Sequence, residues 1–299
     1  MIYSDMREFL KLLEGRGLLK RVASEVDPDL EIAEIMDRLV RSGGPAVIFE
    51  NVKGSTMPVV ANLFGTRERC GLALGVEDEE FSEIGELIAL LQRPKPPEGK
   101  WEAIKSLPFY GKMLSLGPKT VKSAACQEVV IKGDDVDLTK FPILKCWPGD
   151  AAPLITWPLV VTRGPDGGPF NVGVYRMQQL DKKRTIMRWL AHRGGAKHKM
   201  LWEEKGEPQP IAVAIGCEPA TILAAVTPVP EDMDEFLFAG VLRKKAIELV
   251  DCVTVPLKVP ATAEIVLEGE IRHGETELEG PSGDHTGYYN SAEPFPVFH

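Results

Sequence analysis

Cysteine is scarce in this sequence and follows no pairing pattern: Cys70, Cys126, Cys146, Cys217 and Cys252 are the five in 299 residues, none of them part of a C-x-x-C. That excludes a zinc ribbon, a dithiol redox motif and a disulfide framework, and the five read as small buried hydrophobes. No apolar run approaches the roughly 18 residues that span a bilayer. The opening MIYSDMREFL has neither the basic flank nor the apolar stretch of a signal peptide, so a cytoplasmic protein is expected. Positive charge is also in deficit. Lys and Arg number 35 against 44 Asp and Glu, a net of −9, which excludes a generic nucleic-acid binder. Neither G-x-G-x-x-G nor G-x-x-x-x-G-K-[ST] occurs, and G-x-S-x-G and H-E-x-x-H are absent too. Dinucleotide, P-loop, serine-hydrolase and zincin sites are therefore not signalled.

What is present is ample apolar content, 44%, in a length that suits one large or two ordinary domains. Residues 1 to about 116 read as an α+β domain. Asp5 and Glu8 suit the start of a helix whose apolar face is Phe9, Leu10, Leu12 and Leu13, ended by Gly15 and Gly17. A second helix is expected from about Asp29 with Ile32, Ile35, Met36 and Leu39 at helical spacing, then strands at 46 to 52 and 58 to 65, and a helix at 79 to 92. Pro94 to Gly99 reads as a stiff connector, followed by a short helix at 100 to 106.

From about 125 the texture becomes strands between turn signals. The segments 154 to 163, 169 to 180 and 184 to 190, turned at Gly164–Gly168 and Asp181–Lys183, predict a three-stranded meander. Helices near 195 to 204 and 233 to 245, and strands at 210 to 216 and 246 to 271, complete a β-barrel-like domain with helical insertions. The chain stops at PVFH directly after an apolar strand-like run, and reads as a fragment.

The charge is unevenly placed. Nine Lys or Arg lie between Arg163 and Met200 against Asp166 and Asp181, and seven acids lie between Glu264 and Asp284 against Arg272. The two segments are candidates to meet, although each also reads as an ordinary solvated face. The basic one gathers Asn171, Tyr175, Arg176, Arg188, Trp189, His192 and Arg193 beside Gly173, Gly194 and Gly195, a set suited to a flat phosphorylated ligand. Gly173 is a candidate bulge that would turn both polar ends of its strand inward. Arg176 also reads as an exposed strand arginine, and His192 as a hydrogen-bonded structural histidine. In the acidic segment, Glu275, Glu277 and Glu279 share one strand face and need matching cations, and Gly280–Gly283 sets Asp284 on a loop.

The segments NVGVYRMQ (171 to 178), MRWLAHRGGA (187 to 196), PATILAAVTPVP (219 to 230), VPATAEIVLEGEI (259 to 271) and EGPSGDHTGYY (279 to 289) together resemble the UbiD family of decarboxylases, closest to its 3-polyprenyl-4-hydroxybenzoate carboxy-lyase branch. The resemblance implies an α+β protein, with residues 1–116 as an N-terminal α+β domain and 117–299 as a split β-barrel that binds prenylated FMN; the family's C-terminal α/β region is missing. It implies non-oxidative, reversible decarboxylation of a 4-hydroxybenzoate-like or related unsaturated acid, with prenylated FMN, manganese or another divalent metal, and potassium. Asn171, His192 and Glu235 would hold the metal. Val174, Tyr175, Arg176, Arg188, Trp189, Leu190, Arg193 and Gly194 would line the flavin. Arg176, Glu279 and Asp284 would form the catalytic network, with Asp284 as proton donor, its pKa raised by Glu279 and lowered by Arg176. A flavin prenyltransferase would supply the cofactor, a polyprenylated substrate would bring peripheral membrane contact, and the full-length protein would be a homo-oligomer. A second expectation is a subunit that binds flavin or a partner chain without turnover.

Overall fold

The computed structural model describes residues 3–93, 111, 113–191, 193–230 and 233–299. The connector at 94 to 99, the helix at 100 to 106 and His192 lie outside the described residues. Helix α1 (Met6–Gly15) begins where Asp5 accepts the amide of Glu8, and it buries Met6, Phe9 and Leu13. Strand β1 (Leu19–Val26) pairs in parallel with β2 (Ala46–Val52) across helix α2 (Glu31–Arg41), and β3 (Val59–Ala61) pairs with β2 antiparallel. The sequence pattern missed β1, because only Leu19 and Val26 of its eight residues are buried and no alternation shows. Helix α2 starts two residues later than expected, since the chain before it is tied to Lys145: Leu30 N–H donates to Lys145 O at 3.0 Å, and Lys145 N–H to Pro28 O at 3.1 Å. Helix α3 (Arg67–Leu74), capped by Thr66, was not foreseen either, whereas α4 (Phe81–Gln92) matches expectation.

The second part is organised by one eight-stranded sheet in the order β5-β8-β9-β16-β13-β10-β6-β7. Its strands are β5 (Leu154–Ile155), β6 (Leu159–Gly164), β7 (Gly167–Val174), β8 (Met177–Gln179), β9 (Thr185–Met187), β10 (Gln209–Ile215), β13 (Ile265–Glu279) and β16 (Glu293–Phe298). A smaller sheet joins β4 (Lys119–Val121), β11 (Glu248–Asp251) and β12 (Lys258–Pro260), and a two-stranded ribbon joins β14 (Ser282–Gly283) to β15 (Tyr289–Asn290). Helices α5 (Gly194–Lys205), α6 (Pro219–Ala224) and α7 (Glu235–Arg243) complete the described elements used below. None of the described helices is long and apolar enough to cross a membrane.

The α+β class holds, but the meander does not. Strands β6 and β7 form one hairpin and β8 and β9 another, at opposite ends of the sheet order. Tyr175 and Arg176 alone connect β7 to β8, and three residues connect β5 to β6. At no more than about 3.6 Å per residue, so short a link keeps Val174 and Met177 within about 11 Å. The two ends of the sheet therefore curl toward each other, yet no ladder joins them among the described residues. The sheet is curled and open, not a closed barrel.

Alternation along these strands feeds two cores. Leu159, Val161, Phe170, Val172, Ala212 and Ala214 pack toward α6, α7 and the N-terminal elements, in a cluster that also contains Phe9, Leu13, Leu19 and Ile48. Val160, Tyr175, Met177, Met187, Trp189, Ile211, Val213, Ile271 and Phe298 form the second. Gly173 is not a bulge, because the β6–β7 register runs unbroken through Val160↔Gly173. Its lack of a side chain makes room for the folded-back ring of Tyr175, whose Cζ and Oη would lie 2.5 Å from an added Cβ. Gly173→Ala should therefore destabilise the protein by about 1–3 kcal/mol in urea unfolding, the usual range for overpacking. The penalty should largely vanish when Tyr175 is also replaced by Val.

Candidate active site

The site is built around the Tyr175–Arg176 crossing, whose two consecutive side chains serve two different clusters. On the Arg176 side lies Glu279, the last residue of β13, which has no exposed surface. Arg176 grips it with Nε to Oε1 at 2.8 Å and Nη2 to Oε2 at 3.2 Å, and Arg188 adds Nη1 to Oε2 at 2.8 Å. Arg188 also stacks on Phe295 at 4.9 Å and stands 3.6 Å from Glu293 Oε2. The acidic and basic segments do meet. Glu277 takes Arg184 at 3.0 Å, Glu279 takes two arginines, and Glu275 lies 2.9 Å from His299 Nε2. Arg176 and Arg188, both expected at the flavin, hold the Glu279 carboxylate.

Beyond Glu279, Gly280 N–H donates to buried Gln178 Oε1 at 2.8 Å and the chain turns into the β14–β15 ribbon. Its base is clamped. Buried Asp150 accepts Gly283 N–H at 2.7 Å on one oxygen, and the amides of Trp147 (2.8 Å) and Cys146 (3.2 Å) on the other. The Trp147 ring lies against Gly283, where an added Cβ would come within 2.2 Å of it, and meets Tyr289 edge-on at 5.5 Å. Asp284 sits above this base. Its carboxylate accepts Asn290 Nδ2 at 3.1 Å and His285 N–H at 2.6 Å, and also faces the His285 ring. The expected upward pull on Asp284 is not found. The hydrogen bond from Asn290, with those from His285, holds its carboxyl below the usual range against a modest desolvation effect, and neither Glu279 nor Arg176 contributes.

On the other side of the crossing, Tyr175 is buried edge-on to Trp189, with ring centroids 5.9 Å apart. Burial pushes its phenol up, opposed by hydrogen bonds from Asn171 and from the backbone at Gly195. Asn171 Nδ2 lies 3.3 Å from Thr162 Oγ1 and 3.5 Å from Tyr175 Oη, while its Oδ1 is pressed against Gly194, within 1.9 Å of where a Cβ would stand. Glu235 opens α7, next to the Asp234 cap, which also accepts Phe170 N–H at 3.3 Å and so ties the helix to β7. Burial raises the Glu235 carboxyl to about 8 despite hydrogen bonds from backbone amides, including that of Val172. Its Oε2 is buried with no partner among the described residues.

A desolvated carboxyl with an orphaned oxygen, bonded by the amide of Val172 next in sequence to Asn171, suits a hard divalent cation, which would favour its ionised form. Among the described residues no group of three His, Cys, Asp or Glu forms a metal cluster, and the third expected ligand, His192, lies outside them. The α5 N-terminus offers an anion site: Gly194 and Gly195 open the helix, exposed Arg193 sits at the N-cap, and no side chain caps it. Val174 and Trp189 are packed into the two cores, and Leu190 is exposed. Sequence reading missed Asp150, Gln178, Asn290, Thr162 and His198, whose roles arise from long-range contacts that leave no local motif.

Residues 119–299 match the family model described as the 3-octaprenyl-4-hydroxybenzoate carboxy-lyase Rift-related domain, and residues 10–88 match the corresponding N-terminal domain. The structure resembles that of an evolved dimeric form of the UbiD-class enzyme HmfF from Pelotomaculum thermopropionicum in complex with prFMN, with 36% identity and a TM-score of 0.85 over 99% of this chain and 64% of that one. It also resembles the vanillic acid decarboxylase of Sedimentibacter hydroxybenzoicus in closed form (31% identity, TM-score 0.85, 100% of this chain and 61% of that). The 3,4-dihydroxybenzoic acid decarboxylase of Klebsiella pneumoniae is similar too (27%, 0.81, 98% and 61%). The chain thus spans less than two thirds of the length of these relatives.

Two outcomes test the site's electrostatics. Glu279→Gln leaves two arginines facing a neutral group and should cost on the order of 3–5 kcal/mol in urea unfolding, whereas Glu277→Gln on the same strand should cost less than about 1 kcal/mol. Asn290→Ala should raise the Asp284 pKa, read by carboxyl 13C titration. Because a depressed carboxyl stabilises the fold only while ionised, the stability lost in Asn290→Ala should be greatest above the ordinary carboxylate range and shrink as the pH falls through the Asp284 pKa.

Proposed function

The chain belongs to the UbiD family of carboxy-lyases, and on that premise we propose that it catalyses the non-oxidative, reversible decarboxylation of an aromatic or α,β-unsaturated acid with prenylated FMN and a divalent metal. One observation carries this reading: the Tyr175–Arg176 crossing sets a cation- and anion-ready cluster (Asn171, Glu235, the α5 N-terminus) directly beside a buried carboxylate–arginine cluster. We read residues 1–116 as the N-terminal α+β domain and 117–299 as the flavin-binding split barrel, a reading that the curled open sheet supports.

Asn171 and Glu235 would hold the metal, manganese by preference, with His192 as third ligand. The α5 N-terminus and Arg193 suit the flavin phosphate, with Val174, Tyr175, Arg176, Arg188, Trp189, Leu190 and Gly194 around the ring system. Potassium would be a further ion. Departure of CO2 leaves an electron pair on carbon that no side chain can absorb, and the prenylated flavin, when bound, supplies that sink. The remaining work is the protein's. Glu279 consumes Nε and Nη2 of Arg176 and thereby fixes the guanidinium plane, leaving Nη1 to orient the substrate carboxylate. Asp284 returns one proton to the carbon that has lost CO2 and is reprotonated from solvent. To carry that proton it must first turn from Asn290 and His285, so the 284–290 turn rearranges in each cycle.

The named substrates of two relatives, vanillic acid and 3,4-dihydroxybenzoic acid, are hydroxybenzoates, which supports a 4-hydroxybenzoate-like ring. The family description extends this to a 3-polyprenyl substituent, and such a substrate would bring the protein to a membrane surface. A flavin prenyltransferase would supply the cofactor, and the dimeric relative supports a homo-oligomer. Co-expression with a flavin prenyltransferase should yield a protein with bound prenylated flavin that releases CO2 from hydroxybenzoates. Asp284→Asn should retain the flavin and the fold but lose 100-fold or more of the turnover, roughly the scale of a general acid. Unchanged turnover in that variant would overturn the assignment of Asp284, and flavin bound with no CO2 released from any acid would favour binding without turnover.

A further inference from the structure

An asparagine that ligates a cation must present Oδ1 and not its NH2, yet the two faces of a carboxamide are nearly isosteric and the group rotates at little intrinsic expense. Something in the fold has to choose. Asn171 lies between Gly194, which its Oδ1 touches, and two hydroxyls, Thr162 Oγ1 at 3.3 Å and Tyr175 Oη at 3.5 Å. A hydroxyl can accept or donate, so neither alone decides which way the amide points.

Thr162 is wholly buried in β6, directly opposite Asn171 in the β6–β7 register, and its Oγ1 has one further partner, His198 Nδ1 at 2.8 Å. His198 projects from α5 and is half-buried, and burial shifts it toward the neutral form. A neutral imidazole has one acceptor nitrogen. If Nδ1 is that acceptor, the single Thr162 hydroxyl hydrogen is committed to His198, its lone pairs face Asn171, and only the Asn171 NH2 can be bonded there. Oδ1 is then driven to the opposite side, against Gly194. With the other tautomer Nδ1–H donates to Thr162, the hydroxyl hydrogen is released, and the carboxamide is no longer held to one orientation.

We propose that His198 and Thr162 are positioning residues that act through Asn171: a His198 Nδ1 ← Thr162 O–H, Thr162 Oγ1 ← Asn171 Nδ2 relay fixes the carboxamide so that Oδ1 is presented to the metal. The proposal rests on the metal assignment of Asn171 and Glu235 given above. It places the polarity of the site in two residues outside the proposed metal-holding and flavin-lining sets. Because His198 and Gly194 share α5, the same helix fixes the amide from both sides.

Two measurements test it separately. In the protein labelled with 15N at histidine and asparagine, His198 should be the Nε2–H tautomer. The Asn171 NH2 protons should be protected from exchange in the wild type and in Thr162→Ser, and exposed in Thr162→Val. An Nδ1–H tautomer, or Asn171 protons indifferent to Thr162→Val, would overturn the relay whether or not metal binds. In the second measurement, free Mn2+ is titrated by electron paramagnetic resonance. Thr162→Val should bind the ion about 10–100-fold more weakly, the usual loss for an outer-sphere partner, and Thr162→Ser should restore it. Affinity in Thr162→Val equal to wild type, or an equally poor Thr162→Ser, would refute the proposal. Wild type and Glu235→Gln that alike fail to bind Mn2+ would instead count against the metal assignment, while the tautomer still decides the relay.

Discussion

A carboxylate with no contact with water, Glu279, is tolerable only because two guanidinium groups reach it from elsewhere in the chain. Removing it from water costs several kcal/mol, and attraction in the low-dielectric interior offsets that only with near-ideal geometry. The bidentate grip of Arg176 supplies the geometry, and Arg188 adds a third hydrogen bond, to Oε2. Much of the architecture follows from that requirement. Arg176 has to sit at the crossing between β7 and β8, and Arg188 just past β9. Strand β13 has to run its full length to bring Glu279 between them, pairing with β10 at one end and β16 at the other.

The same strand shows how far charge can be read as topology. The strand-face argument placed Glu275, Glu277 and Glu279 together and required cations to match them. Arg184 answers Glu277, the Arg176–Arg188 pair answers Glu279, and Glu275 meets the His299 imidazole. Helix α1, with a strong apolar face and the Asp5 cap, was legible because its signals are local, and α4 was legible from its apolar spacing although no side chain caps it. Strand β1 was not, because a parallel partner 27 residues away in register leaves no trace in eight mostly exposed residues. The meander failed for a related reason. Two hairpin turns were correctly seen, but Tyr175–Arg176 was read as strand interior when it is the point where the chain leaves one end of the sheet for the other.

At the site, the residues named from family resemblance fall into two clusters, and the resemblance could not supply their surroundings. Asp150 and Trp147 precede Asp284 by more than 130 residues, yet they set the height of the ribbon that carries it. Asn290 and His285 then hold its carboxyl below the usual range. This division of labour, a clamped base under an exposed turn, lets an acid be held precisely in place by one set of contacts and in protonation state by another.

The strand order also has a temporal meaning. Strand β9 finds its second neighbour only in β16, with Ile186 opposite Val297, and β10 joins β6 to β13 across stretches of chain about half as long. Pairings of such long sequence separation form late and slowly, since the loop-closure entropy is spent before any contact repays it. During synthesis, Arg176 and Arg188 leave the ribosome roughly a hundred residues ahead of the acid they enclose, at a pace of about 5–20 residues per second. The buried ion cluster is therefore among the last features to assemble, and a nascent chain carries two unpaired arginines and an open sheet edge for several seconds.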